Sequence, residues 1–249
     1  MIEIHHLKKA FGSRVITNDL DMTVKNGEFL AIIGRSGEGK SVLLKQIIGL
    51  IQPDSGSVII DGIDVTKLKG REKEAIYKKC GYVFQFAALL DSLNIFQNVG
   101  ITKLESGNPA EEVEPLVLKR IREVGLRDDI LDKFPDEISG GMKKRVGLAR
   151  TLMLSPEIII YDEPTTGLDP ITAKVIHELI KETQTKFKTT TIVISHDVEV
   201  FKYADRVAML NAGKIAYIGP AKDIWECKDP YIYQFIRGLS KGPLQAQVR

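Results

Sequence analysis

A glycine-rich stretch, Gly34-Arg35-Ser36-Gly37-Glu38-Gly39-Lys40-Ser41, constrains this chain more than any other feature. Ahead of it, Phe29-Leu30-Ala31-Ile32-Ile33 reads as a buried strand, within a segment from Glu28 to Ile33. Behind it, Ser41 to Leu50 reads as a helix. A GxxxxGKS loop between strand and helix curls the backbone so that its N–H groups face phosphate oxygens. Lys40 then reaches the β- and γ-phosphates, and the Ser41 hydroxyl meets Mg²⁺. A chance glycine loop would not carry that strand–loop–helix context.

The rest of the chain alternates strand and helix signals. Strand-like pieces fall at Ile2 to Leu7, Leu20 to Val24, Val58 to Ile60, Gly81 to Gln85, Ile158 to Asp162, Thr190 to Ser195 and Val207 to Leu210. The last pairs with Lys214 to Ile218 across Ala212-Gly213. From about Phe86 to Leu154 the pattern turns helical, most clearly at Val113 to Val124 and Met142 to Leu154. The expected fold is α/β, a P-loop NTPase core with a mainly parallel sheet, an antiparallel β subdomain and a nested helical subdomain over about 86–154. The core domain runs over 1–225, and 226–249 forms a C-terminal tail.

Charge and composition narrow the function classes. The net charge is +2 over 249 residues, so nucleic acid is not the expected partner. The basic clusters Lys67 to Arg71 and Lys143 to Arg145 read as solvated helix faces, given acidic neighbours such as Glu72 and Glu74. No apolar run approaches the roughly 18 residues that cross a bilayer, so membrane work would go through a partner. Cys80 and Cys227 lie far apart, and with no signal-like start they read as reduced thiols of a cytosolic protein.

Further positions carry chemistry. Ile158-Ile159-Ile160-Tyr161 ends in Asp162-Glu163, two carboxylates of which one can hold a Mg²⁺ shell while the other polarises a water for attack on a γ-phosphate. Ser139-Gly140-Gly141 precedes a helix whose bare N-terminus is an anion site. A second phosphate cradle in one chain implies that another molecule's ATP comes to it. His196 follows an apolar strand, where imidazole can bond the γ-phosphate or the attacking water. Gln85 ends another strand and can join the Mg²⁺ shell.

These pieces stand in the order of the ABC transporter ATPases, which roughly residues 1–225 resemble. By that resemblance Phe11 stacks on adenine, Gly34 to Ser41 form Walker A and Gln85 the Q-loop. Ser139-Gly140-Gly141-Met142 is the signature, Asp162 the Walker B metal ligand, Glu163 the catalytic base, Gly167-Leu168-Asp169 the D-loop and His196 the switch histidine. The resemblance implies a head-to-tail nucleotide sandwich, each ATP lying between one P-loop and the opposite signature. Met142 departs from the usual Gln, which removes an amide and keeps the backbone N–H groups.

Ile138-Ser139-Gly140-Gly141-Met142-Lys143-Lys144-Arg145 is similar to the ATPases of Mla- and Mce-type phospholipid transporters. So is Phe84 to Asn94, although Phe86 stands where that group more often has a small residue. Gln234 to Leu239 with Gly242-Pro243 shares the likeness. It implies a homodimer beneath an integral permease, on the cytoplasmic face of the inner membrane, with an Mce-type lipid-binding protein on the far side. An amino-acid or other small-solute importer ATPase is the alternative.

Other classes fit less well. A P-loop GTPase would need an Asn-Lys-x-Asp motif, and a soluble DNA-acting relative usually carries a long coiled-coil insertion before the signature. A non-catalytic regulatory subunit would not need Lys40, Asp162, Glu163 and His196 intact. In the tail, Ile232, Phe235, Ile236 and Leu239 fall on one helical stripe, for which docking on the sister subunit is expected.

Overall fold

The computed structural model describes residues 1–244 and divides them into two compact units. One unit comprises Met1–Ile76 with the chain from Thr190 onward, and the other is Tyr77–Thr189.

In the first unit, β1 (Ile2–Phe11) and β2 (Arg14–Val24) pair antiparallel about the Gly12-Ser13 turn. β4 (Ser55–Ile60) and β5 (Ile63–Asp64) extend this to a sheet of order β2-β1-β4-β5. The first hairpin is longer than its two apolar patches suggest, because its outer ends carry polar residues such as Lys8, Lys9 and Asn18 on exposed or half-exposed faces. Its inward residues Ile2, Ile4, Leu7, Leu20 and Val24 are buried.

A second strand system in this unit is built on β3 (Phe29–Ile33), whose five residues are all buried. β3 runs parallel to β8 (Thr190–Ile194) on one side and β9 (Arg206–Asn211) on the other. Burial on both flanks explains its unbroken apolar composition. β10 (Lys214–Pro220) closes on β9 as an antiparallel hairpin. Helix α1 (Lys40–Ile47) follows the glycine loop directly, starting one residue earlier and ending earlier than the sequence pattern suggests. α2 (Arg71–Lys79) takes up the end of the basic cluster with Glu72 and Glu74, where a solvated helix face was expected without bounds; Ile76 is its one buried residue, so it shows almost no apolar periodicity.

The second unit pairs β6 (Cys80–Val83) parallel with β7 (Ile158–Asp162). Around them stand α3 (Ile95–Leu104), α4 (Ala110–Glu123), α5 (Gly140–Leu152) and α6 (Pro170–Phe187). The compact unit is therefore wider than the expected helical stretch of 86–154 and includes two strands. α6, the 18-residue helix after the acidic pair, carries clear start signals. Asp169 is its N-cap and Pro170 its first residue, the pairing that favours helix initiation.

The tail begins with α7 (Pro230–Ile236) in the first unit. Ile232 and Ile236 of the expected stripe are buried within their own chain, while Leu239 and the neighbouring Tyr233 are exposed. Self-packing thus takes part of the surface that was expected to meet a sister subunit. Residues 245–249 of the expected tail lie outside the described residues.

Candidate active site

In the first unit, the loop after β3 is shaped by close approach as much as by freedom. Gly34 has φ 154°, and a Cβ there would lie 2.5 Å from the Leu210 carbonyl oxygen. Only a glycine lets the chain pass that backbone. Arg14 donates to the Gly37 carbonyl at 2.6 Å, and the Ala212 N–H donates to the Glu38 carboxylate at 2.8 Å. Glu38, expected among the nucleotide contacts, thus has its carboxylate engaged as a brace for the loop.

Lys40 is only 5% exposed. Its ammonium donates to the Gly34 and Arg35 carbonyls, each at 2.9 Å, which hold the charge across the loop. A buried ammonium needs such partners. Gly39 is the N-cap of α1, so there is no side-chain cap, and no acidic residue stands in the first turn. Its N-terminal N–H groups and dipole favour an anion there. Ser41 is half-buried in that first turn, Arg35 half-buried in the loop, and Ser36 exposed.

Two other candidates of this unit are presented outward. Phe11 ends β1 with 50% exposure, and the Lys9 ammonium stands 5.3 Å from its ring centroid. His196 is exposed immediately after β8, on a turn shaped by the Asp197 N–H donating to Ser195 Oγ at 2.9 Å.

In the second unit, β7 delivers Asp162 and Glu163. Asp162 is buried, and the Tyr82 hydroxyl on β6 donates to its Oδ2 at 2.8 Å. Burial, followed by the adjacent Asp162 charge, raises the Tyr82 phenol, which keeps it a donor. Glu163 turns out of the strand with φ 49°, an uncommon conformation for a residue with a Cβ. Thr166 Oγ1 donates to its Oε2 at 3.0 Å. Gln85 follows β6, and its backbone carbonyl accepts from the Lys144 ammonium of α5.

That contact corrects the expectation that Lys143 to Arg145 form a solvated face. Lys144 is 8% exposed, and Arg145 donates to the Gly125 carbonyl at 3.1 Å. The charge run is split by helix geometry, because successive residues are about 100° apart around the axis. Tyr82, Thr166 and Lys144 were not among the expected site residues. Only the run of basic residues hinted at Lys144, and it pointed outward.

Ser139 caps α5 and accepts from the Met142 N–H at 3.3 Å. Ser139 and Gly140 are exposed, whereas Gly141 is buried, where a Cβ would lie 2.7 Å from Thr172 Cγ2. No acidic residue occupies the first turn of α5, so a second anion-favouring helix start is open at the surface. Met142 keeps its backbone N–H, and the Ser139 hydroxyl engages it.

The candidate metal ligands Ser41, Gln85 and Asp162 offer a hydroxyl, an amide carbonyl and a carboxylate. These oxygen donors suit Mg²⁺, a hard cation commonly held by one or two carboxylates and substrate phosphates.

A family model described as ABC transporter matches residues 17–166. The probable ribonucleotide transport ATP-binding protein mkl of Mycobacterium tuberculosis is 38% identical over 245 residues, 98% of this chain and 68% of the relative. The intermembrane phospholipid transport system ATP-binding protein MlaF of Haemophilus influenzae is 38% identical over 247 residues, 98% of this chain and 93% of that protein. Among solved structures, a dimeric ATP-binding cassette in a post-hydrolysis state with ADP and Pi superposes with a TM-score of 0.80. It has 31% identity and covers 89% of this chain and 99% of its own. A match over more than half of the chain, with relatives this similar, means that the chain belongs to the ABC transporter family, among its ATP-hydrolysing members.

Proposed function

We propose that the chain powers a phospholipid transporter, as a homodimer beneath an integral permease and with an Mce-type lipid-binding protein as a further partner. ATP hydrolysis follows from the family; the cargo is the added step. The observation that carries it is end-to-end correspondence with MlaF, which is matched over 93% of its length, against 68% for the ribonucleotide-named relative. The segments 84–94 and 138–145 support the same subfamily.

Each expected role then has a physical basis. The Gly34–Lys40 loop and the start of α1 receive the triphosphate, and Phe11 offers a ring face to the base. Glu163 polarises the attacking water and His196 hydrogen-bonds the phosphate being transferred. Mg²⁺, when bound through Ser41, Gln85 and Asp162, neutralises charge on the phosphates. The exposed start of α5 suits the ATP of a second copy, which supports the head-to-tail dimer. Among the described residues no helix is long and apolar enough to cross a membrane. A permease would therefore hold the chain at the cytoplasmic face of the inner membrane.

The test is isolation of the complex from native membranes through a tag on this chain, with mass spectrometry of its proteins and lipids. Phospholipid enriched over a detergent-matched control, together with a permease, is the expected result. A complex without that enrichment, whose ATPase rate rises with an amino acid or a ribonucleotide, would overturn the lipid assignment.

A further inference from the structure

Phe11, the last residue of β1, pairs across the Gly12-Ser13 turn with Arg14, the first residue of β2. The ring has a fixed setting. The Lys9 ammonium lies over it at 5.3 Å, and Asp54 accepts from that ammonium and from the Ala10 N–H, each at 2.7 Å. A cation over one face leaves the opposite face to a base. Across the turn, the Arg14 guanidinium reaches the glycine loop and donates to the Gly37 carbonyl at 2.6 Å, a charge-assisted bond.

β2 meets the loop again farther along. A Cβ on Gly39 would lie 2.4 Å from Ile16 Cγ2. The Asn18 N–H donates to the Gly213 carbonyl at 2.8 Å, in the turn between β9 and β10. The Ala212 N–H of that same turn holds the Glu38 carboxylate. β2, the loop and the turn thus form a closed circuit, in which Gly37, Glu38 and Gly39 are each met from outside the loop. The contacts differ in burial. Ile16 is buried and its packing belongs to the core, whereas Arg14 is exposed, so removing its charged end opens no cavity. What Arg14 contributes is the placement of the loop relative to the ring beside it.

A nucleotide joins its base to its phosphates through one ribose. A site gains from both ends only when ring and loop stand at a matching separation. Held there, the second end binds at high effective concentration. We propose that Arg14 is a positioning residue that clasps the glycine loop to the Phe11 platform, so that base and phosphates are bound as one unit. The proposal rests on the reading of Phe11 as the base platform and of the glycine loop as the phosphate cradle.

ADP and pyrophosphate separate the two ends, and calorimetric titration of the full-length chain measures both. Arg14→Met should weaken ADP by about 3- to 10-fold, the loss of one charged hydrogen bond at an exposed site, with pyrophosphate within about twofold of wild type. Retained pyrophosphate binding also reports that the loop is folded. Arg14→Lys keeps a charged donor and should recover most of the ADP affinity. Phe11→Ala should weaken ADP and spare pyrophosphate. Arg14→Met added to Phe11→Ala should then cost less than about a further twofold, because no platform remains to be placed. Unchanged ADP binding in Arg14→Met would overturn the proposal. So would a double variant that loses the product of the two single effects, or pyrophosphate weakened as much as ADP, which would confine Arg14 to the loop. Arg14→Ala carries the same cycle if the methionine variant does not fold. Unchanged ADP binding in Phe11→Ala would overturn the reading of Phe11 and the clasp together, whereas additive losses leave that reading standing and overturn the clasp alone.

Discussion

The Tyr82 hydroxyl donates to Asp162 Oδ2 at 2.8 Å, so one side of that carboxylate is already oriented by the protein. A carboxylate fixed in this way presents its remaining oxygen in one direction, which favours a ligand that needs a defined position. Tyr82→Phe removes the donor and keeps the ring, whose centroid lies 4.6 Å from that of Phe84. A net hydrogen-bond contribution of about 1 kcal/mol corresponds to roughly fivefold in an equilibrium constant. The Mg²⁺ concentration for half-maximal hydrolysis should therefore rise by about that factor, with little change in melting temperature. A Mg²⁺ titration that superposes on wild type would refute the role. At this scale, legibility in the sequence follows from locality. Lys40, Ser41, Asp162 and Glu163 were readable as candidates because each stands beside the segment that gives it meaning. Tyr82 and Lys144 were not, because Tyr82 meets a residue 80 positions away and Lys144 one 59 positions away.

Among the elements, the segment from Phe86 to Asn94 has the most distinctive construction. Asn98, fully buried on α3, donates its amide to the carbonyls of Leu90, Leu93 and Asn94 at 3.0, 2.8 and 3.1 Å. Its own oxygen accepts the Leu90 N–H at 2.8 Å. One side chain thus satisfies the backbone of an irregular stretch, and the stretch keeps a fixed shape. Outward from it point Phe86, 80% exposed, and Leu90, 46% exposed. Rigid backbone under exposed apolar side chains fits a surface that receives a permease segment better than it fits subdomain core. Leu90→Glu should leave folding and ATP binding intact and reduce recovery of the permease complex by tenfold or more, on the order of a lost interface anchor. Global unfolding of that variant would return Leu90 to the core. The central strands β3 and β7 were legible from their mainly apolar runs, since every residue of each is buried. The bounds of α2 were not, because a surface helix with one buried residue has no periodic signature, and only its charge pattern marked a helix face there.

For the whole molecule, the question is what keeps two copies together once nucleotide has left. The tail was expected to do so, yet much of it folds onto its own chain. Gln234 is buried, and its amide donates to the carbonyls of Leu239 and Leu244 at 3.1 and 2.9 Å. Its oxygen accepts the Leu244 N–H at 2.7 Å. This staple, with Ile232 and Ile236 beneath it, belongs to monomer stability. Deleting the tail from residue 231 would therefore expose core and confuse unfolding with loss of association. Tyr233 and Leu239 remain exposed, at 45% and 44%, although the Arg237 guanidinium lies 4.5 Å from the Tyr233 ring centroid, and they are the most exposed apolar residues of the stretch that a sister subunit would meet. The two requirements can be separated. Gln234→Ala should destabilise the monomer by about 1–3 kcal/mol, because it leaves buried backbone groups unpaired. Tyr233→Glu with Leu239→Glu should leave the melting temperature near wild type and weaken nucleotide-free dimerisation, since charge would then be carried into the contact. A tether of this kind acts by raising effective concentration, so the ATP-bound dimer should be less affected than the empty one. Sedimentation of the double variant with and without ATP measures both, and equal association of variant and wild type without nucleotide would show that the tail serves only its own subunit.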